Sequence, residues 1–137
     1  AVYKRLDHLL KSSDVITIHT PLTKETHHLI GQRELSLMKP TAYLINTSRG
    51  PVVEEKALVA KLQQGKLAGA GLDVYEREPV ISPELLKMDH VVLTPHIGTD
   101  TTETRIHMAW ECARNIQNFF NGRPPFHVVN SEIYQSE

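Results

Sequence analysis

The 137 residues contain one cysteine, Cys112. A lone thiol forms no disulfide within its chain and builds no thiolate metal cluster, a usage that suits a reducing compartment. An excess of either charge is missing too: 15 basic side chains face 16 acidic ones, for a formal net charge of -1. That balance argues against a surface for nucleic acid or for an anionic membrane. No apolar run approaches the roughly 18 residues of a membrane span, and residues 1–8 lack the apolar block of a secretory signal. There is no initiator methionine, and the pattern opens in the middle of an element, so an incomplete chain is one expectation. Also missing is Gly-x-Gly-x-x-Gly, the turn that opens a helix against a pyrophosphate. Gly69-Ala70-Gly71 lies inside an apolar run and does not qualify.

What is present is an ordinary globular composition, 40% apolar and 23% charged, in a chain long enough for a real core. Apolar and polar periods alternate in short blocks. Leu6, Leu9 and Leu10 mark one face of a helix ending near Lys11. Val15 to His19 reads as a β-branched strand stopped by Pro21, and residues 31–38 as a short helix. Ala42 to Thr47 is a second strand, apolar enough to be covered on both faces. Glu54 to Gln64 is a helix with acids in its first turn and Gly65 at its end. Leu67 to Val74 and Val91 to Thr94 are the third and fourth strands, and Gly69 and Gly71 permit close backbone approach. Strands alternating with helices in short units predict an α/β fold of parallel strands joined by crossover helices. From about Asp100 to Asn121 runs a long helix, with Asp100 and Glu103 resembling a capping box. Ile106, Ala109, Trp110, Ala113, Ile116 and Phe120 form its apolar face. Arg123-Pro124-Pro125 then predicts an extended tail.

Three of the strands are followed by one reactive side chain each. These are Arg49 in Leu44-Ile45-Asn46-Thr47-Ser48-Arg49-Gly50, Glu78 in Gly71-Leu72-Asp73-Val74-Tyr75-Glu76-Arg77-Glu78-Pro79, and His96 in Val91-Val92-Leu93-Thr94-Pro95-His96-Ile97-Gly98. In a parallel sheet the carboxyl ends of the strands share one edge, where ligands bind. Arg49 can grip a carboxylate through two parallel bonds; its plainer reading is a surface arginine paired with Glu54 or Glu55. His96 suits proton transfer near neutral pH. Glu78 gains meaning as its partner, and Glu76 is an equal candidate on composition alone. Asp73, inside an apolar strand, calls for a backbone or polar-ligand partner. His19 ends the first strand at the same edge. His8, His27, His28, His90, His107 and His127 are expected to be solvated. His27-His28 is not read as a metal site, because adjacent side chains point apart and no third ligand is suitably spaced.

Four motifs carry a resemblance. His19-Thr20-Pro21-Leu22-Thr23-Lys24-Glu25-Thr26 comes first, then Met38-Lys39-Pro40 with the Arg49 segment, then Gly69-Ala70-Gly71-Leu72-Asp73-Val74 with Glu78-Pro79, and last Thr94-Pro95-His96-Ile97-Gly98. In this order they resemble the C-terminal half of the D-isomer-specific 2-hydroxyacid dehydrogenases, those like glyoxylate and hydroxypyruvate reductases in particular, over residues 1 to about 130. The resemblance implies that Arg49 binds the substrate carboxylate, that His96 is the acid/base and that Glu78 is its partner. It implies NAD or NADP as cofactor. Thr20 and Pro21 would form the wall on the adenosine side and Thr26 a further contact. Thr47, Ser48 and Asp73 would lie at the nicotinamide end, with Gly98 at the same mouth and Arg49 and His96 beside them.

It further implies that residues 1–99 are the second half of a Rossmann-type NAD(P)-binding domain and that residues 100–137 return to a substrate domain outside this chain. The chain is then expected to be a fragment lacking much of the site for the hydride donor, and inactive alone. A small 2-oxo or 2-hydroxy acid, a homodimer and a cytoplasmic location complete the expectation. Related proteins use the same fold as NAD(H)-sensing co-repressors, so a binding role without physiological turnover is the alternative. Pro51, Glu54, Asp100 and Phe126-His127 depart from the usual pattern and leave the substrate subtype open.

Overall fold

The structure, a computed structural model, describes residues 2–134. The chain divides into two compact units, Ala1–Gly98 and Thr99–Glu137.

The first unit is built from α1 (Leu6–Ser12), β1 (Val15–Ile18), α2 (Gln32–Leu37), β2 (Tyr43–Asn46), α3 (Glu55–Gln63), β3 (Gly69–Leu72) and β4 (Val91–Leu93). The strands form one sheet in the order β1-β2-β3-β4, every neighbouring pair parallel. The register aligns Ile18 with Asn46, Asn46 with Leu72, and Leu72 with Leu93, so all four strands finish along one edge. Parallel pairing requires each connection to cross the sheet, and α2 and α3 supply two of the crossovers.

Alternation along the strands sends Ile16, Ile18, Leu44, Ala70 and Leu72 into the core, where they join Leu10, Leu35, Leu58, Leu62, Leu67 and Leu85 in one buried cluster. Each fully buried leucine contributes about 1.5–3 kcal/mol relative to exposure. The opposite face is open at Val15, Tyr43 and Val92, with Tyr43 48% exposed. The expected two-sided cover of the second strand is therefore not present among the described residues. Its apolar composition reports two apolar faces, not what lies against each. Gly69 allows the 90–91 segment to approach: a Cβ there would sit 2.4 Å from the His90 carbonyl oxygen.

In the second unit α4 (Thr102–Phe120) is followed by a tail and a short 3-10 turn, Ser131–Tyr134. No residue of α4 is buried. Its N-cap is Thr101, whose side chain accepts the Thr104 N–H at 3.2 Å, and not Asp100. Capping works from the residue immediately before the first helical one, and Thr101 occupies that place in extended conformation. Asp100 instead pairs with Arg105. The tail does not run straight after its prolines. The Phe126 N–H donates to Asn115 Oδ1 at 2.7 Å, and the Arg114 guanidinium lies 4.6 Å from the centre of the Phe126 ring. Among the described residues no helix is long and apolar enough to cross a membrane.

Candidate active site

The residue after each strand opens a loop at the shared carboxyl edge. After β2 the chain turns on Asn46, which is 1% exposed. Its Nδ2 donates to the Arg49 carbonyl at 3.0 Å, and its Oδ1 accepts the Ser48 N–H at 3.0 Å and the Ser48 hydroxyl at 2.9 Å. A buried amide with every group bonded is a template for the turn. It leaves Arg49 exposed, with one guanidinium nitrogen donating to the Ser48 carbonyl at 2.7 Å. The plainer reading of Arg49 fails. Glu54 is bonded to the Gln32 N–H and Glu55 to the Glu76 N–H, and no ion pair links either to Arg49 among the described residues.

After β3 the chain carries Asp73 into the interior. Its carboxylate accepts the Thr94 hydroxyl, the Ile97 N–H at 2.8 Å and the Gly98 N–H at 2.7 Å. Burial raises the pKa of such a group, but these three bonds outweigh it and hold Asp73 below the ordinary carboxylate range. All three donors lie on the loop that carries His96, so Asp73 shapes that loop. Tyr75, buried, donates its hydroxyl to the Thr94 carbonyl at 2.8 Å and its N–H to Glu78 Oε1 at 3.1 Å. Burial, with Asp73 nearby, moves the Tyr75 phenol up.

Glu78 and His96 meet. Glu78 Oε2 lies 2.8 Å from His96 Nδ1. An ionised carboxylate only accepts, so the shared proton is on Nδ1. In the neutral ring Nε2 then keeps its lone pair, and in the charged ring it is a second donor. Nε2 has no hydrogen-bond partner among the described residues. Burial opposes the Glu78 charge, but the bonds from His96 and the Tyr75 N–H and the field of Arg49 prevail, and Glu78 lies below its ordinary pKa. His96 itself is left-handed, φ 56°.

Thr20, Pro21, Thr47, Ser48 and Arg49 line one cleft of about 470 Å³ with His19 and Leu22. Thr20 lines this cleft, and its hydroxyl oxygen is buried without a hydrogen-bond partner among the described residues, an orphaned polar group that a bound ligand is one way to satisfy. Thr26 is not on that wall. Its hydroxyl donates to the Pro21 carbonyl at 2.7 Å and accepts the Thr23 N–H at 2.7 Å, so it closes the turn behind the cleft. Asp73 and Gly98 are joined to each other on the His96 side.

Two expectations need correction. His28 is not solvated: its Nε2 donates to Glu76 Oε1 at 3.0 Å, and both side chains are partly buried. Nor do His27 and His28 point apart. Their ring centres are 4.0 Å from each other, because His28 takes a left-handed backbone, φ 52°. Asn46 and Tyr75, not singled out by the sequence motifs, also shape the edge. An amide at the end of an apolar strand, followed two residues on by serine, was the available signal for Asn46.

Four parallel strands in chain order, with crossover helices and a polar carboxyl edge, make an α/β, Rossmann-like NAD-binding domain. Residues 1–98 match the model of the D-isomer specific 2-hydroxyacid dehydrogenase, NAD binding domain, and the chain belongs to that family. It is 52% identical over 136 residues to a glyoxylate reductase of Thermococcus litoralis, covering 99% of this chain and 41% of that protein. D-lactate dehydrogenase from Aquifex aeolicus, solved with NAD and lactic acid, superposes with a TM-score of 0.81 at 41% identity, over 88% of this chain and 41% of the other. An NADPH-dependent glyoxylate/hydroxypyruvate reductase from Sinorhizobium meliloti, solved with NADP and malonate, gives 0.81 at 36% identity, over 84% and 36%. The chain spans about two fifths of the length of the curated relatives it matches.

Proposed function

We propose that this chain carries the proton-transfer and carboxylate-binding part of an NAD(P)-dependent D-2-hydroxyacid dehydrogenase, which interconverts a small D-2-hydroxy acid and its 2-oxo acid. The observation that carries this reading is the Glu78–His96 pair, with His96 Nε2 unpartnered among the described residues, on the same edge as an exposed Arg49 that forms no ion pair among them.

The cofactor fits the residues present. Thr20, Pro21, Thr47 and Ser48 would hold it along the cleft, with the orphaned Thr20 hydroxyl as one contact. Asp73 and Gly98 would border its nicotinamide end, and Thr26 supports the wall from behind. When bound, the nicotinamide supplies the hydride. Arg49 grips the carboxylate of the acid and sets the orientation of C2. Protonated His96 donates from Nε2 to the carbonyl oxygen and delivers a proton to it; in the oxidative direction the neutral ring takes the hydroxyl proton. Glu78 holds the ring in this tautomer and offsets its positive charge. Each charged hydrogen bond from Arg49 contributes about 1.5–3 kcal/mol, so two favour an acid over its aldehyde by at least about a hundredfold.

The reading includes a homodimer and a cytoplasmic location. The exposed apolar side chains of α4, among them Ile106, Trp110 and Phe120, support the first. The single cysteine supports the second.

The test is turnover of glyoxylate, hydroxypyruvate and pyruvate with NADH and NADPH by the complete protein. Turnover that disappears in His96→Gln supports the proposal. Tight NAD(H) binding with no turnover of any of the three would overturn it in favour of a nucleotide-sensing protein.

A further inference from the structure

Glu76 lies two residues before Glu78 and points elsewhere. Its Oε2 accepts the N–H of Glu55 at 3.0 Å, and its own N–H donates to Glu55 Oε2, also at 3.0 Å. This is a reciprocal exchange between residues 21 apart in sequence. It caps the first turn of α3, whose own N-cap residue, Glu54, makes no side-chain cap bond. A carboxylate suits a helix N-terminus. Glu76 Oε1 accepts from His28 at 3.0 Å, and the His28 N–H donates to the Pro51 carbonyl at 2.8 Å. Burial disfavours the Glu76 charge, but the Glu55 and His28 bonds prevail and keep it below the ordinary range.

The peptide entering Glu76 is held on its other side as well. A Cβ on Gly50 would lie 1.8 Å from the Tyr75 carbonyl oxygen and 2.6 Å from the Glu76 nitrogen, so the Arg49 turn rests directly on this peptide. The same Tyr75 donates its N–H to Glu78 and its hydroxyl to the loop before His96. Arg49, Glu78 and His96 sit on three separate loops, and the segment 75–76 touches all three.

We propose that Glu76, braced by Glu55 and His28, is the positioning residue that aligns Glu78 on His96. The proposal rests on the roles given above to Glu78 and His96. Glu76 touches neither of them nor the Arg49 side chain. It acts by fixing the backbone from which Glu78 projects, and a misplacement of about 1 Å at such a site costs up to about a hundredfold in rate.

The test uses the complete protein with Glu76→Ala and Glu76→Gln, reading kcat and KM for glyoxylate and the carbon-13 titration of the Glu78 carboxyl. Glu76→Ala is expected to lower kcat about tenfold while the KM of the oxo acid moves less than about twofold. The Glu78 titration should rise toward the ordinary carboxylate range as its bond to His96 loosens. Glu76→Gln, which keeps an oxygen for the Glu55 N–H, should restore most of both.

A Glu76→Ala protein that melts earlier but keeps its kcat and its Glu78 titration shows a brace for the fold alone and overturns the proposal. If Glu76→Ala does not fold, His28→Asn gives the second reading, since asparagine tolerates the left-handed backbone at 28. It should move the Glu78 titration in the same direction, and an unmoved titration overturns the proposal. The titration needs no turnover. If His96→Gln remained fully active, the proposed chemistry would fall, while the Glu78 response would still decide the role of Glu76.

Discussion

Two glutamates two residues apart each face a histidine, and the two pairs differ in exposure and in what anchors each carboxylate. Both histidines are left-handed, at φ 52° for His28 and 56° for His96. Both glutamates are held below their ordinary pKa. Yet in the Glu78–His96 pair the side chains are 36% and 48% exposed, against 27% and 35% for Glu76 and His28. Glu78 has one backbone donor, from Tyr75 in its own loop, whereas Glu76 caps a distant helix and is capped in return. His96 Nε2 has no hydrogen-bond partner among the described residues; His28 leans on His27 and is tied to residue 51. The same two residue types thus make a more exposed pair, to which proton exchange is assigned above, and a less exposed pair that holds backbone. What separates them is the element each carboxylate is anchored to.

The contrast is broken most severely by exchanging the histidines' fates. His96→Gln in the complete protein is expected to lower kcat by at least about a hundredfold, whereas His28→Gln should stay within about tenfold. Steady-state turnover of a 2-oxo acid checks both, and comparable losses would erase the distinction.

Next in size is the carboxylate grip proposed for Arg49. Arg49→Ala should reduce discrimination between an acid substrate and the matching aldehyde by about a hundredfold, read as the ratio of kcat/KM values. Unchanged discrimination would remove Arg49 from substrate binding.

Gly50→Ala strikes the seam between the two pairs. With a backbone oxygen 1.8 Å from the new methyl, it should destabilise the fold by about 1–3 kcal/mol, measured by urea unfolding, and lower kcat along with stability.

The smallest effect is on pH dependence. Asp73, Glu76 and Glu78 all have lowered folded pKa values. The stability they contribute is therefore fully present above their unfolded values near pH 4, and it is lost as pH falls through the lowered folded ones. Thermal melts from pH 7 downward should show Tm falling below about pH 4. Asp73→Asn, less stable at pH 7, should show a shallower fall in the same window, and parallel curves would contradict the assignment.

Much of this arrangement is legible in the sequence. Alternating periods located all four strands, and their parallel order put Arg49, Glu78 and His96 on one edge. Gly69 was legible as a close-approach site because only a missing Cβ fits there. The choice between Glu76 and Glu78 was not legible from composition or period. It depends on Glu55, 21 residues away, reaching back to the Glu76 N–H, and a cap made across the fold leaves no local pattern. His28 escaped for a similar reason, since a left-handed residue in a polar turn reads as solvated until its tertiary partner is known. The cap of α4 falls one residue after the expected Asp100 because Asp100 and Thr101 are both good caps, and only the backbone at 101 decides between them.

The contact of Gly50 with the 75–76 peptide bears on how this edge could change. Arg49 belongs to the turn on one side of that contact, and Glu78 and His96 to the loops on the other. With no side chain between them as a spacer, a shift of either surface toward the other presses directly on it. A lineage or an engineer seeking to shift the arginine for a bulkier acid cannot do so by adjusting residues 47–50 alone. On the roles proposed for Arg49, Glu78 and His96, a displaced turn also displaces the acid/base pair, so residues outside this block offer the freer route to a new specificity.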